Sequence, residues 1–165
     1  MTKLISFLMA ASSAFVAYSQ NPEEWQSLEF QNKEDYRTHE SKILECANFV
    51  LRVPAEMGDP ARKSAMGAIS RWMSGTPDYQ FGLDESIMKL TEKNDIILSI
   101  YMAAMAKFVL ENKDKADDEN VVKLNSFSML LDYCADVNNK VHMTKELKKA
   151  MRAKDSGKLK KYLGT

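Results

Sequence analysis

The sequence predicts an all-α fold: a compact bundle of six or seven helices around a central apolar helix near residues 95–112. Three observations carry that expectation. No stretch sustains the apolar–polar alternation of a half-buried strand, whereas apolar residues recur at three- and four-residue intervals along most of the chain. Six Gly and four Pro are too few for a β protein with a turn every ten residues or so. From Ile96 to Leu110 only Ser99 and Lys107 are polar, the pattern of a helix buried nearly all round.

The elements follow in chain order. Asn21-Pro22-Glu23-Glu24 reads as a helix start: Asn caps, Pro fits the first turn, and the acids suit the positive end of the helix dipole. Asn32 with Asp35 repeats that signal. Tyr36, Ile43, Ala47 and Val50 follow at helical spacing until Pro54. Asp59-Pro60 opens a helix carrying Ala65, Ile69, Trp72 and Met73, which stops at Gly75. Asp84 caps the next, with Leu83 and Met88 spaced as a hydrophobic staple. Asn94-Asp95 opens the central helix. Asp117-Asp118-Glu119 begins another, with Leu124, Phe127, Leu131 and Cys134 on one face. Thr144 caps the last, which Ser156-Gly157 interrupts before Leu159, Tyr162 and Leu163.

Ahead of these lies an expected signal peptide, residues 1–19. Lys3 precedes an apolar run from Leu4 to Tyr18, and Ala17-Tyr18-Ser19 places small residues at the positions a signal peptidase reads. At a rise of ~1.5 Å per residue the run falls short of a bilayer core of roughly 30 Å. Cleavage leaves one helical domain, residues 20–165, with no membrane span. The expected destination is the periplasm or the extracellular medium.

With 23 basic and 23 acidic residues the net charge is zero, which argues against a general nucleic-acid binder. The charge is unevenly spread. Residues 20–60 hold nine acids and four bases, and residues 140–165 hold nine bases and two acids. The basic tail is amphipathic, with Leu147, Ala150 and Met151 opposite the lysines. It reads either as a face for an anionic partner, through Lys148, Lys149, Lys160 and Lys161, or as a tail docked on the chain's own acidic half, or simply as a solvated face.

Several patterns bear on chemistry. Cys46 and Cys134 both fall on core-facing positions. A bond between them would contribute roughly 4–5 kcal/mol by closing a long loop, and two separate buried thiols are the alternative. His39 and His142 have no His or Cys at metal-ligand spacing, and no Glu-x-x-His occurs, so no metal and no cofactor is expected. Asp114 to Asn125 lacks the Gly and the closing Glu of a calcium loop. Ser86-Ile87-Met88-Lys89 matches the Ser-x-x-Lys of acyl-serine enzymes without the accompanying elements. Asp132 and Asp136, one turn apart, form a carboxylate pair of the kind acid–base catalysis uses. Trp72, Tyr79 and Phe81, around Gly75 and Pro77, form either a stacking platform for a ligand or a plug over the bundle end.

Trp72 to Phe81 (Trp-Met-Ser-Gly-Thr-Pro-Asp-Tyr-Gln-Phe), Tyr101-Met102-Ala103-Ala104-Met105 and Phe108-Val109-Leu110 resemble an uncharacterised group of small exported all-helical bacterial proteins. The resemblance covers roughly residues 44–135. It implies export and a helical fold, and no activity.

The function expected from the sequence is an exported binding or accessory module of the cell envelope without an evident catalytic constellation. Its contacts would be Trp72, Tyr79 and Phe81 together with the four lysines, and its partner a protein or a small apolar ligand. A small envelope hydrolase using carboxylates, or a structural subunit of a larger assembly, are the alternatives.

Overall fold

The computed structural model describes residues 22–56, 58–92 and 94–165. The signal-peptide segment and Gln20 lie outside the described residues. Nine α-helices run α1 (Pro22–Gln26), α2 (Lys33–Thr38), α3 (Glu40–Val50), α4 (Pro60–Gly75), α5 (Glu85–Thr91), α6 (Asp95–Glu111), α7 (Glu119–Ala135), α8 (Lys145–Asp155) and α9 (Leu159–Leu163). No strand occurs among the described residues. The expected helices are all present, and the larger number comes from two breaks.

One break is legible and one is not. Ser156-Gly157 separates α8 from α9 through a Schellman turn: Gly157 N–H donates to the Lys154 carbonyl at 2.9 Å, and Lys158 N–H to that of Ala153 at 2.7 Å. Gly157 has φ +68°, which a residue without Cβ adopts freely. The other break falls at His39, between α2 and α3, with φ −90° and ψ 1°. No Pro or Gly marks it. The His39 ring stands edge-on to Phe30, 5.6 Å between centroids, so His39 is half-buried rather than on a solvated face.

The expected caps from Asn32 onward form; Asn21 lies outside the described residues. Asn32 accepts from the Asp35 N–H while Asp35 accepts from the Asn32 N–H, a reciprocal capping box. Asp59, Asp84, Asn94, Asp118 and Thr144 each accept a backbone N–H in the first turn of α4 to α8. Each satisfies a donor that the helix itself leaves unpaired.

Helix α6 is the hub. It packs against α3, α4, α5 and α7. Eleven of its 17 residues are buried, which is why its sequence shows so little amphipathic contrast. Trp25 of α1, Ile69 and Trp72 of α4, Ile87 of α5, Phe127 and Leu131 of α7, Leu147 of α8 and Leu163 of α9 join it in one contiguous core. Helices α1 and α4 pack together on one flank, while α8 and α9 cover α7 on the other.

Helix α4 ends at Gly75 as expected, though not through a left-handed cap, since the φ of Gly75 is not positive. A Cβ there would fall 2.0 Å from the Tyr36 hydroxyl and 2.6 Å from Cζ, so its missing side chain is what lets α2 lie across the end of α4. Gly75→Ala is expected to destabilise by about 1–3 kcal/mol through this overpacking, read by urea unfolding. Adding Tyr36→Ala should relieve the clash, and the double variant should lose less than the two single losses added.

Candidate functional site

Trp72 does not face solvent. It is 0% exposed, its rings lie 5.5 Å from Tyr79 and 5.7 Å from Phe81, and its indole N–H donates to the Tyr36 carbonyl at 3.1 Å. Tyr79 and Phe81 are half-buried and fold back over it, 6.5 Å apart. The segment is a plug, and Trp72 is withdrawn from the platform that the sequence allowed. The reason is the turn after Gly75: it reverses the chain so that both later aromatics return to the indole.

Polar clamps hold the plug. Arg37 grips Asp78 with two hydrogen bonds of 2.7 and 2.8 Å. The Tyr79 hydroxyl donates to Glu40 at 3.1 Å, and Lys113 pairs with the other Glu40 oxygen. The Arg37 hydrogen bonds hold the Asp78 carboxyl below the usual range, and burial pushes the Tyr79 phenol up.

Cys46 on α3 and Cys134 on α7 are buried as free thiols, so the Cys46–Cys134 bond is absent. Each fits its own part of the core as a small apolar group; α6 packs against both helices. Burial pushes both thiols from an ordinary value of 9.0 up to about 12. In that window the unfolded chain ionises while the folded chain stays protonated. The stability from these groups is therefore full below about pH 9 and falls as pH rises towards 12. At neutral pH a maleimide reagent is expected to leave the folded protein unmodified and to label both cysteines after unfolding in urea.

The carboxylate candidates have structural occupations. Asp132 pairs with Lys154 of α8, which also donates to the Ser128 carbonyl at 2.9 Å. Asp136 accepts from the Asn138 backbone and side-chain amides, both at 2.9 Å. Asp84 caps α5 and pairs with Lys123; burial opposes its ionisation, and that pairing with the cap hydrogen bonds wins and lowers its pKa. Ser86 and Lys89 are no better placed for acyl transfer. The Lys89 amine lies 2.8 Å from Glu85, which raises its pKa and keeps it protonated, whereas activation of a hydroxyl needs the neutral amine. His39 sits between α2 and α3, and His142 in the link before α8.

The basic tail carries the arrangement that stands out. Lys145, Lys148, Lys149 and Arg152 occupy i, i+3, i+4 and i+7 of α8, all exposed, around a shallow open depression. The opposite face buries Leu147 and Ala150 against the core. The Lys149 ammonium lies 5.8 Å from the Tyr162 ring centroid of α9, which joins this face to the helix bearing the exposed Lys160 and Lys161.

Several lysines elsewhere on the surface are matched with acids, whereas the exposed Lys63 and Lys115 have no ion pair among the described residues. Lys42 meets Glu24 and Glu45, Lys107 meets Glu111, and Lys140 meets Glu56 at 2.7 Å. For the stripe Lys145, Lys148, Lys149 and Arg152, the one acid in ion-pair range among the described residues is Glu146, 3.8 Å from Lys149. Lys145, Lys148 and Arg152 have no ion pair among the described residues. Among the described residues, Lys140 makes the one ion pair between the tail and the acidic half, to Glu56, so the tail is not docked there through its charges.

Like charges at i and i+4 repel, and three lysines in the first turns oppose the positive end of the helix dipole. This face is built against its own stability by a few tenths of a kcal/mol per pair. Lys145 and Arg152 are the members that the sequence reading passed over, although the three- and four-residue spacing from Lys145 was the signal for them.

Among the described residues no helix is long and apolar enough to cross a membrane. Large exposed apolar side chains there are Leu83 and Met88, at the start of α5, and Val137, after α7. Compared with family models, curated proteins and solved structures, the chain matches none.

Proposed function

We propose that this chain is an exported binding module of the cell envelope that docks on an anionic lipid surface through the basic face of α8, extended by α9. The cation stripe Lys145, Lys148, Lys149 and Arg152, in which only Lys149 has an acidic partner among the described residues, carries the reading. Lipid is favoured over an acidic protein by what the stripe lacks. Stable protein interfaces centre on an apolar or aromatic anchor that is fully desolvated. Here the apolar side of α8 is committed to the core, and the face offers charge without a pocket for an anchor. Phosphate headgroups need no shape complement. Each Lys or Arg held near such a surface contributes about 1 kcal/mol, so the stripe with α9 supports reversible, salt-sensitive binding.

The test is co-sedimentation of the purified protein with phosphatidylcholine vesicles, with and without phosphatidylglycerol. Binding is expected to require the anionic lipid and to weaken as salt rises. Lys148→Glu with Lys149→Glu should weaken it by roughly a hundredfold, since each reversal replaces attraction by repulsion. Lys63→Glu, an exposed charge on α4, should leave it unchanged. Equal binding to neutral vesicles, or binding indifferent to the α8 reversals, would overturn the proposal.

A further inference from the structure

A groove of about 800 Å³ lies between α1, α3 and α6, on residues that the basic face does not use. Its walls include Trp25, Leu44, Phe49 and Leu51, and its charged residues are Lys42, Arg52 and Lys107 with one acid, Glu45, which is held by Lys42. Trp25 and Phe49 are packed together at 5.0 Å between ring centroids.

Two features distinguish it from an ordinary seam between helices. The first is Trp25. Its ring is 0% exposed, and its indole N–H has no acceptor. A buried donor is normally satisfied, and the chain's other indole, Trp72, is. The second is Arg52. Lys42 is held by Glu24 and Glu45, and Lys107 by Asn48 and Glu111. Arg52 is exposed and has no carboxylate partner among the described residues.

We infer that this groove binds a small amphipathic carboxylate. The apolar tail would lie against Leu44 and Leu51 over the buried Trp25–Phe49 pair, and the headgroup would take up the Arg52 charge and, on a small shift of that pair, the orphaned indole N–H. The combination selects the ligand class. An apolar wall alone would take any hydrocarbon, but a stranded donor and a guanidinium without a carboxylate partner in one groove call for an acceptor that carries negative charge.

Decanoate is a suitable probe, with decanol as its neutral counterpart. The protein has two tryptophans, so two indole N–H signals appear in a ¹⁵N-correlated NMR spectrum. Trp25→Phe identifies which is which. Decanoate is expected to shift the Trp25 indole signal and leave that of Trp72 in place. Arg52→Gln, at an exposed position that the fold does not need, should weaken decanoate about tenfold and leave decanol unaffected. The inference is overturned if the Trp25 signal stays put up to the solubility limit of decanoate. It is overturned equally if Arg52→Gln binds decanoate as well as the parent does, or if decanol binds as tightly as decanoate. Because these variants leave α8 untouched, vesicle docking and carboxylate binding succeed or fail separately.

Discussion

Trp72→Ala is expected to cost about 4 kcal/mol and to release the segment from Thr76 to Asp84. The indole is fully buried, and Tyr79 and Phe81 pack on it. Truncation opens a cavity that two half-buried rings fill poorly, because Arg37–Asp78 and Tyr79–Glu40 tether the segment on its outer side. The Tyr36 carbonyl also loses its indole donor. Against a typical total of 5–15 kcal/mol this is a large fraction, equivalent to a fall of roughly 10 °C in Tm. Thermal unfolding followed by circular dichroism gives the shift. Limited proteolysis should then cut first between Thr76 and Asp84. A fall of only a degree or two would mean that the plug carries little of the fold's stability.

Arg62→Ala is expected to cost about 3 kcal/mol, for a reason that begins in the sequence of α3. Pro54 has no N–H, so the Val50 carbonyl four residues earlier has no helical donor. Arg62, only 4% exposed, supplies one: its Nη1 donates to the Val50 carbonyl at 3.0 Å. It also approaches the Val53 and Pro54 carbonyls, each at 3.5 Å. Tyr133 completes the cluster, donating to the Val53 carbonyl at 2.6 Å, with the guanidinium 5.9 Å from its ring centroid. No carboxylate faces the guanidinium; the negative end of α3 and the Tyr133 ring take that place. Truncation strands the Val50 carbonyl and leaves a void along the missing stem. Arg62→Met refills the void without the donor and should recover part of the loss. Urea unfolding of both variants measures this. If Arg62→Ala matched the parent, the desolvation of the guanidinium would equal everything it gains from the carbonyls.

Most of the architecture was legible because it rests on local chemistry. Asn32, Asp59, Asp84, Asn94 and Thr144 act within four residues of themselves, and the apolar content of α6 announces its burial whatever surrounds it. Long-range geometry was not legible. Nothing near Gly75 in sequence points to Tyr36, and nothing near Arg62 points to Val50 and Tyr133, because these pairs form only when helices dock. The same holds for the cysteines: their faces were read correctly, but facing the core did not bring them into a bond. The aromatic cluster illustrates the general ambiguity, since an aromatic residue in a turn either meets a ligand or returns to the core, and here Trp72 decides it. The basic stripe of α8 was visible in part, whereas its lack of acidic partners required the positions of all the other charges.

The most direct test of the account is to map which side of the protein meets the bilayer. Anionic vesicles carrying a spin-labelled headgroup lipid broaden NMR signals of residues near the membrane surface. The account predicts that amide signals from Lys145 to Arg152 broaden first, with those of α9 next and those of α1 and α4 last. Uniform broadening, or broadening that begins at the Tyr79–Phe81 plug while α8 stays sharp, would contradict it.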